Sequence, residues 1–217
     1  MKDRVIKGKY MKIATLVLGP VQTNVYIAIN EENGQCLVID PGDRADLIIQ
    51  RIKKLSADPQ AILLTHGHYD HILGVSDLKA HYDIPVLAME AEKALLADPD
   101  LNHSGMFGVP VSLAADRYLR DREVVTLAGL TFQALHTPGH TAGGGCFYFE
   151  KEGVLFSGDT LFHQSVGRTD LPTGDMNSLI ASIHASLLTL PDETDVYPGH
   201  GYPTTIGFER AYNYFLN

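Results

Sequence analysis

Hydrophobic residues fall into short Val- and Ile-rich runs from Met11 onward, at 11–18, 24–29 (NVYIAI) and 36–40 (CLVID). Gly19-Pro20, Asn33-Gly34 and Pro41-Gly42 punctuate them. Short apolar runs bounded by turn formers predict strands, here an antiparallel opening sheet. The period then changes. Over 44–56, Leu47, Ile48, Ile52 and Leu55 share one face while Arg51, Lys53 and Lys54 lie elsewhere, which predicts a helix with Asp43 as its N-cap. An apolar strand at 61–64 (AILL) follows.

Further along, the pattern predicts a helix over 72–82, a strand at 84–88, a helix at 90–97 and an irregular stretch, 98–115, holding Pro99, Gly105, Gly108 and Pro110. Strands at 123–127, 130–135, 145–149 and 154–157 precede a loop at 163–174. A helix over 176–189 capped by Asp175, a strand at 195–197 and a final helix from about Thr205 complete the chain. Strands followed by helices in each half imply an α/β fold: two sheets packed face to face with helices outside, a four-layered αββα sandwich. Residues 1–10 read as an N-terminal tail and 11–217 as one domain.

With 217 residues, 45% of them hydrophobic, the chain has material for one substantial core. A formal net charge of -9 repels phosphate backbones, which argues against nucleic acid or an anionic membrane and for a small-molecule substrate. No apolar run approaches the ~20 residues of a membrane span. The basic N-terminus (Lys2, Arg4, Lys7, Lys9) lacks the apolar segment of a secretion signal. Two cysteines, Cys36 and Cys146, make no disulfide framework, so a cytoplasmic protein with ordinary buried thiols is expected. Oligomeric state leaves no sign in the sequence.

Chemistry concentrates in Thr65-His66-Gly67-His68-Tyr69-Asp70-His71, directly after an apolar strand. In an extended loop His66 and His68 point the same way, while Asp70 and His71, at the turn into the next helix, aim at a neighbouring point. Such a loop can serve two metal ions but cannot complete either coordination sphere. Further ligands are expected at later strand ends. Thr137-Pro138-Gly139-His140-Thr141, Ser157-Gly158-Asp159-Thr160 and Tyr197-Pro198-Gly199-His200-Gly201 each follow a strand and set one ligand beside a glycine. A histidine taken singly is more often a surface or core residue than a ligand. That explanation suits His81, His103 and His184, and leaves His136 and His163 without a role, but fails jointly for the other five.

This T-H-x-H-x-D-H pattern with the later His, Asp and His resembles the metallo-β-lactamase superfamily, from about residue 11 to the end. The T-P-G-H-T segment at His140 and the Gly158-Asp159-Thr160-Leu161-Phe162 run look like glyoxalase II, the hydroxyacylglutathione hydrolases. The resemblance implies one metal on His66, His68 and His140, a second on Asp70, His71 and His200, and Asp159 bridging both with a water or hydroxide. Two divalent ions per chain are expected, zinc first, with iron or manganese also suited to nitrogen and oxygen donors. Thioester hydrolysis by a metal-bridging hydroxide is the implied reaction, with Asp70 acting in catalysis as well as ligation.

Substrate residues match less completely. The glyoxalase II pattern carries a lysine and a tyrosine shortly after the bridging Asp and a tyrosine two residues after the last His. Tyr202 keeps the last, Arg168 stands at the lysine position and Asp170 at the first tyrosine position. Arginine still grips a carboxylate, so Arg168 and Tyr202 are expected to bind substrate. Full-length glyoxalase II enzymes continue into a helical domain, whereas this sequence ends 15 residues after Tyr202. It looks like the short bacterial glyoxalase II-like hydrolases. A persulfide dioxygenase, with one iron on His66, His140 and Asp159, also resembles the Gly167–Asp170 segment, and a lactonase is a further alternative. A true β-lactamase is disfavoured by Asp159 and by the absence of an export signal.

Overall fold

The computed structural model describes the backbone of Arg4–Lys7 and residues 10–217 in full. Of the tail expected at 1–10, residues 1–3, 8 and 9 lie outside the described residues. Arg4–Lys7 form an edge strand, β1, antiparallel to β2 (Met11–Leu18). The first sheet continues through β3 (Thr23–Asn30), β4 (Gln35–Ile39), β5 (Asp58–Leu63), β6 (Val86–Met89) and β7 (Arg117–Leu119) in chain order. Its pairing is antiparallel up to β4, as expected, and parallel from β4 to β7.

The second sheet is built from β8 (Val124–Leu127), β9 (Leu130–His136), β10 (Gly145–Phe149) and β11 (Val154–Gly158). After a small hairpin, β12 (Leu161–Phe162) with β13 (Ser165–Val166), come β14 (Asp195–Pro198) and β15 (Thr204–Thr205), giving the order β15-β14-β11-β10-β9-β8. Strand β14 lies parallel to β11, so the two share their C-terminal ends.

Alternation along the strands sorts side chains into three cores. Tyr26, Ala28, Leu37 and Ile39 of the first sheet meet Phe132, Phe147, Phe149 and Phe156 of the second. The intervening residues Ile27, Cys36 and Val38 turn outward and are covered by Ile48 and Ile52 of α1 (Ala45–Leu55), Ile72 of α2 (Tyr69–Ile72), Val75 and Leu78 of α3 (Val75–Tyr82) and Leu96 of α4 (Lys93–Ala97). On the far side Cys146, Tyr148 and Leu155 pack under Leu179 of α5 (Met176–Ser182) and Ile206 of α6 (Ile206–Tyr212). Period-two alternation places adjacent residues in different layers, and the result is the expected αββα sandwich. Cys36 and Cys146 lie in opposite outer cores as free thiols, with burial pushing them up to about 12 and about 11. Among the described residues no helix is long and apolar enough to cross a membrane.

Several local expectations need correction. Asp43 does not cap α1: its Oδ1 accepts the N–H of Arg44 at 2.6 Å, and Arg44, left-handed at φ 47°, stands at the cap position. The helix expected over 72–82 starts earlier, at Tyr69, and is broken between α2 and α3, where Gly74 donates its N–H to Pro41 O at 2.8 Å. The 90–97 helix opens as a 3₁₀ turn, Glu90–Glu92. The helix expected over 176–189 is regular only to Ser182, then widens into a π turn over Ile183–Leu187. Asp175 does cap it, accepting from Ser178 N at 2.7 Å, and Thr205 caps α6 by accepting from Phe208 N. Residues 98–115 are irregular, as the pattern predicts.

Candidate metal centre

Strands β4, β5, β11 and β14 deliver their C-terminal loops to one end of the sandwich, where open α/β sheets place their sites. The loop after β5 carries His66 and His68 and runs into α2, which carries Asp70 and His71; the loops after β9, β11 and β14 carry His140, Asp159 and His200. Tyr26 Oη and Asn24 Nδ2 of the first sheet donate to Pro198 O at 2.6 and 2.9 Å, pinning the last loop over the junction of the sheets. Contact there is so close that a Cβ on Gly199 would lie 2.1 Å from Asp159 Oδ1 and 2.7 Å from His71 Cε1, so no other residue fits.

All seven side chains converge. His66, His68 and His140 form one group whose ligand atoms lie within 4.8 Å of one another, and Asp70, His71 and His200 form another. His68 Nδ1 meets His140 Nε2 at 2.9 Å. Nε2 of His71 faces Asp70 Oδ2 at 3.3 Å, and Nε2 of His200 faces the same oxygen at 3.2 Å. Asp159 stands between the groups: Oδ1 is 3.5 Å from His71, while Oδ2 is 3.6 Å from His140 and 3.5 Å from His200.

Four of the five rings have their outer nitrogen committed, whereas Nε2 of His68, whose Nδ1 faces His140, is buried without a hydrogen-bond partner among the described residues. His140 Nδ1 donates to Arg168 O at 2.7 Å, His200 Nδ1 to Val21 O at 3.2 Å and His71 Nδ1 to Asp40 Oδ2 at 3.0 Å. Thr65 Oγ1, whose proton goes to Asp40 Oδ2 at 2.6 Å, accepts from His66 Nδ1 at 3.1 Å. Asp40 also falls near His66 and His71 as a third possible ligand group, but its oxygens are spent on Thr65 and His71, which makes it an orienting group. By contrast, His66 Nε2, His71 Nε2 and Asp159 Oδ1 are buried without a hydrogen-bond partner among the described residues. An unmet buried polar atom costs about 1–3 kcal/mol. Three in one spot, facing inward from rings fixed outward, are donors for a cation, and the clusters fit a dinuclear metal site. The set contains only nitrogen and oxygen, which suits zinc, iron or manganese.

The electrostatics agree. Burial and the neighbouring imidazoles press His66 well below the usual histidine range and His68 down to about 3. Burial also opposes charge on His71 and His200, yet Asp70 and Asp159 outweigh it, raising His71 and carrying His200 to about 9. Those imidazoles in turn overcome burial to hold Asp70 below the carboxylate range and Asp159 at about 2. Protons on His71 and His200 thus supply positive charge that a bound cation would supply instead, so metal uptake releases protons.

A cavity of about 400 Å³ opens over the cluster, with Val21, Tyr69, Met106, Phe107, Leu171 and Arg168 in its walls. Phe107, from the irregular stretch, stacks on Tyr69 at 4.2 Å and 25°. Arg168 reaches the cavity but is gripped by Asp170 through two hydrogen bonds of 2.7 and 2.6 Å. Tyr202 is 77% exposed and outside the cavity lining. His103, assigned no role from the sequence, also lines the cavity, its ring 5.9 Å from that of His68. His136 bonds to Ala142 O and His163 stacks on Phe208, both away from the ligands. Sequence reasoning also passed over two buried carboxylates, Asp40 and Glu92. Asp40 had a signal, the Asp-Pro-Gly turn ending a strand; Glu92 had none.

The metallo-β-lactamase superfamily model matches residues 18–200. A probable metallo-hydrolase of Bacillus subtilis, YqgX, is 41% identical, covering 95% of this chain and 98% of that protein. Hydroxyacylglutathione hydrolase GloC of Haemophilus influenzae is 37% identical, covering 95% and 99%. Among solved structures, the BLEG-1 B3 metallo-β-lactamase superposes with a TM-score of 0.89 at 44% identity, covering 94% and 99% of the two chains. TTHA1623 in a di-iron-bound form gives 0.83 at 39%, covering 93% and 99%. With the fold, the clustered donors and these likenesses in agreement, the chain belongs to the metallo-β-lactamase superfamily.

Proposed function

We propose that this protein is a dinuclear metal-dependent hydrolase that cleaves thioesters of the hydroxyacylglutathione type. The observation that carries the reading is the convergence of seven imidazole and carboxylate side chains beneath a cavity, with the outward nitrogens of His66, His71, His140 and His200 tied and His66 Nε2, His71 Nε2 and Asp159 Oδ1 bare. His66, His68 and His140 would hold one ion and Asp70, His71 and His200 the other, with Asp159 shared between them. When bound, the cations supply Lewis acidity, drawing a water toward ionisation near neutral pH and polarising the scissile carbonyl.

The chain's own residues do the rest. Asp40 and the carbonyls of Val21 and Arg168 keep the ring tautomers that leave inner nitrogens free. Val21, Phe107 and Leu171 give the cavity apolar walls beside the reacting carbonyl. Asp70 accepts a hydrogen bond from the attacking water and so orients it, the proton passes to solvent, and a thiolate leaves without needing an acid. Arg168 holds a carboxylate of the substrate at the rim, and Tyr202 reaches over from outside. The GloC likeness supports the thioester substrate. Buried free thiols at Cys36 and Cys146 fit a reducing compartment such as the cytoplasm.

The 44% identity to BLEG-1 favours β-lactam hydrolysis as a second reading. The deciding experiment purifies the protein without added metal, measures metal per chain, and assays S-lactoylglutathione and a chromogenic cephalosporin with and without oxygen. Near two ions per chain with oxygen-independent thioester hydrolysis supports the proposal. Cleavage of the cephalosporin alone moves the assignment to a lactamase. One iron with oxygen consumption on a glutathione persulfide moves it to a dioxygenase.

A further inference from the structure

We propose that Glu92 is the positioning residue that clamps the His66–His68 loop to the His140 loop, setting the geometry of that ion site alone. The inference rests on the metal-centre reading above. Glu92 ends the 3₁₀ turn after β6 and is 1% exposed. Its Oε1 accepts the N–H of Gly67, the residue between two of the histidines, at 2.8 Å. Its Oε2 accepts the hydroxyl of Thr141, the residue after the third, at 3.0 Å. The turn beyond His140 rests directly on this segment: a Cβ on Gly143 would lie 2.1 Å from Glu92 N and 2.3 Å from Ala91 C.

These contacts join segments far apart in the chain through one carboxylate. A buried polar group left without its partner is costly, and a buried carboxyl has no water to turn to. Both loops are therefore held against Glu92, and His66, His68 and His140 are brought face to face by partners outside the rings. The other group is oriented differently. Asp70 is held by Thr23 Oγ1 at 2.7 Å, His71 by Asp40 and His200 by Val21 O, none of which touches Glu92. A clamp acting on one site of two gives an asymmetric result, which a general packing role does not.

The test uses zinc-loaded full-length protein titrated with a competing chelator, comparing wild type, Glu92→Leu, Glu92→Gln and Thr141→Val. A His200→Ala background identifies the ion held by His66, His68 and His140. Cobalt(II) substitution adds a spectroscopic readout of that site's geometry. Outer-shell losses lower metal affinity about 10- to 100-fold, and a fall of that size is expected at this site in Glu92→Leu, with the other ion unchanged. Glu92→Gln should recover part of it, since its amide oxygen can accept from Gly67 and its NH₂ can donate to Thr141. If Glu92→Leu fails to fold, Thr141→Val, which removes one arm of the clamp in a similar shape, decides. Wild-type affinity at both sites, or equal loss at both, overturns the inference. A wild-type protein that takes up fewer than two ions overturns the metal-centre reading itself, and this inference with it.

Discussion

Asp40 Oδ2 accepts the Nδ1 proton of His71 across 3.0 Å, and through Thr65 the same oxygen reaches His66 of the other group. One buried carboxylate thereby orients an imidazole in each cluster, leaving both Nε2 atoms free. Its backbone is left-handed, φ 49°, a conformation asparagine tolerates well. Asp40→Asn should therefore keep the fold while offering His71 an N–H where it needs an acceptor. The expected result is an affinity loss of about 10- to 100-fold for metal, read by chelator competition. Undiminished affinity would show that Asp40 does not set the tautomers.

Asp159 turns Oδ2 to His140 of one group and to His200 of the other, and Oδ1 to His71. Asp159→Asn removes shared negative charge between two cations, so both ions should bind more weakly and hydrolysis should fall with them. Elemental analysis after dialysis, paired with a thioester assay, checks this. Full occupancy at full rate would sink the bridging assignment.

The backbone and side chain of residue 168 are expected to act separately. Its carbonyl accepts from His140 Nδ1, while its guanidinium stands at the cavity. Arg168→Ala keeps the first contact and loses the second. Metal content should be unchanged and KM for an acidic substrate should rise about tenfold with kcat nearly constant, as expected for one charge-assisted contact. Loss of metal in this variant would contradict that separation.

Met106 and Phe107 bring the irregular 98–115 stretch to the cavity wall, with Phe107 stacked on Tyr69. Replacing both with alanine should alter preference among substrates differing in acyl or thiol group, by roughly the 1 kcal/mol of an aromatic contact, without changing metal content. Identical specificity constants across such a series would mean that the stretch does not touch substrate.

Burial raises the Glu92 carboxyl from 4.5 to about 7. Between those values the folded chain holds a proton that the unfolded chain has released, so this group's contribution to stability falls as pH rises through the window. At about 1.4 kcal/mol per pH unit, the ceiling is about 3 kcal/mol. Urea unfolding of metal-free protein at pH 4.5 and 8 should therefore show wild type losing stability relative to Glu92→Gln, which has no proton to release. Parallel behaviour of the two would refute this.

Sequence periodicity was enough for the αββα layering, because alternation at period two and clustering at helical spacing are local consequences of which face is buried, as with Tyr26, Ile27 and Ala28. The seven side chains that converge at the strand ends were also legible, since ligand-type residues flanked by glycine and threonine stand out of an ordinary composition. The break at Gly74, the edge strands β1 and β7, and the role of Arg44 in place of Asp43 were not, for each depends on a partner or a local conformation that no periodicity records. The same holds around the centre. Asp40 and Glu92 reach loops 25 to 49 positions away, His103 enters the cavity and Tyr202 stays outside it. Residue type and spacing determined which atoms this chain could offer to a metal; only long-range packing decided which nitrogen of each ring faces inward and which carboxylates hold it there, because a hydrogen bond between distant segments leaves no trace in the order of residues.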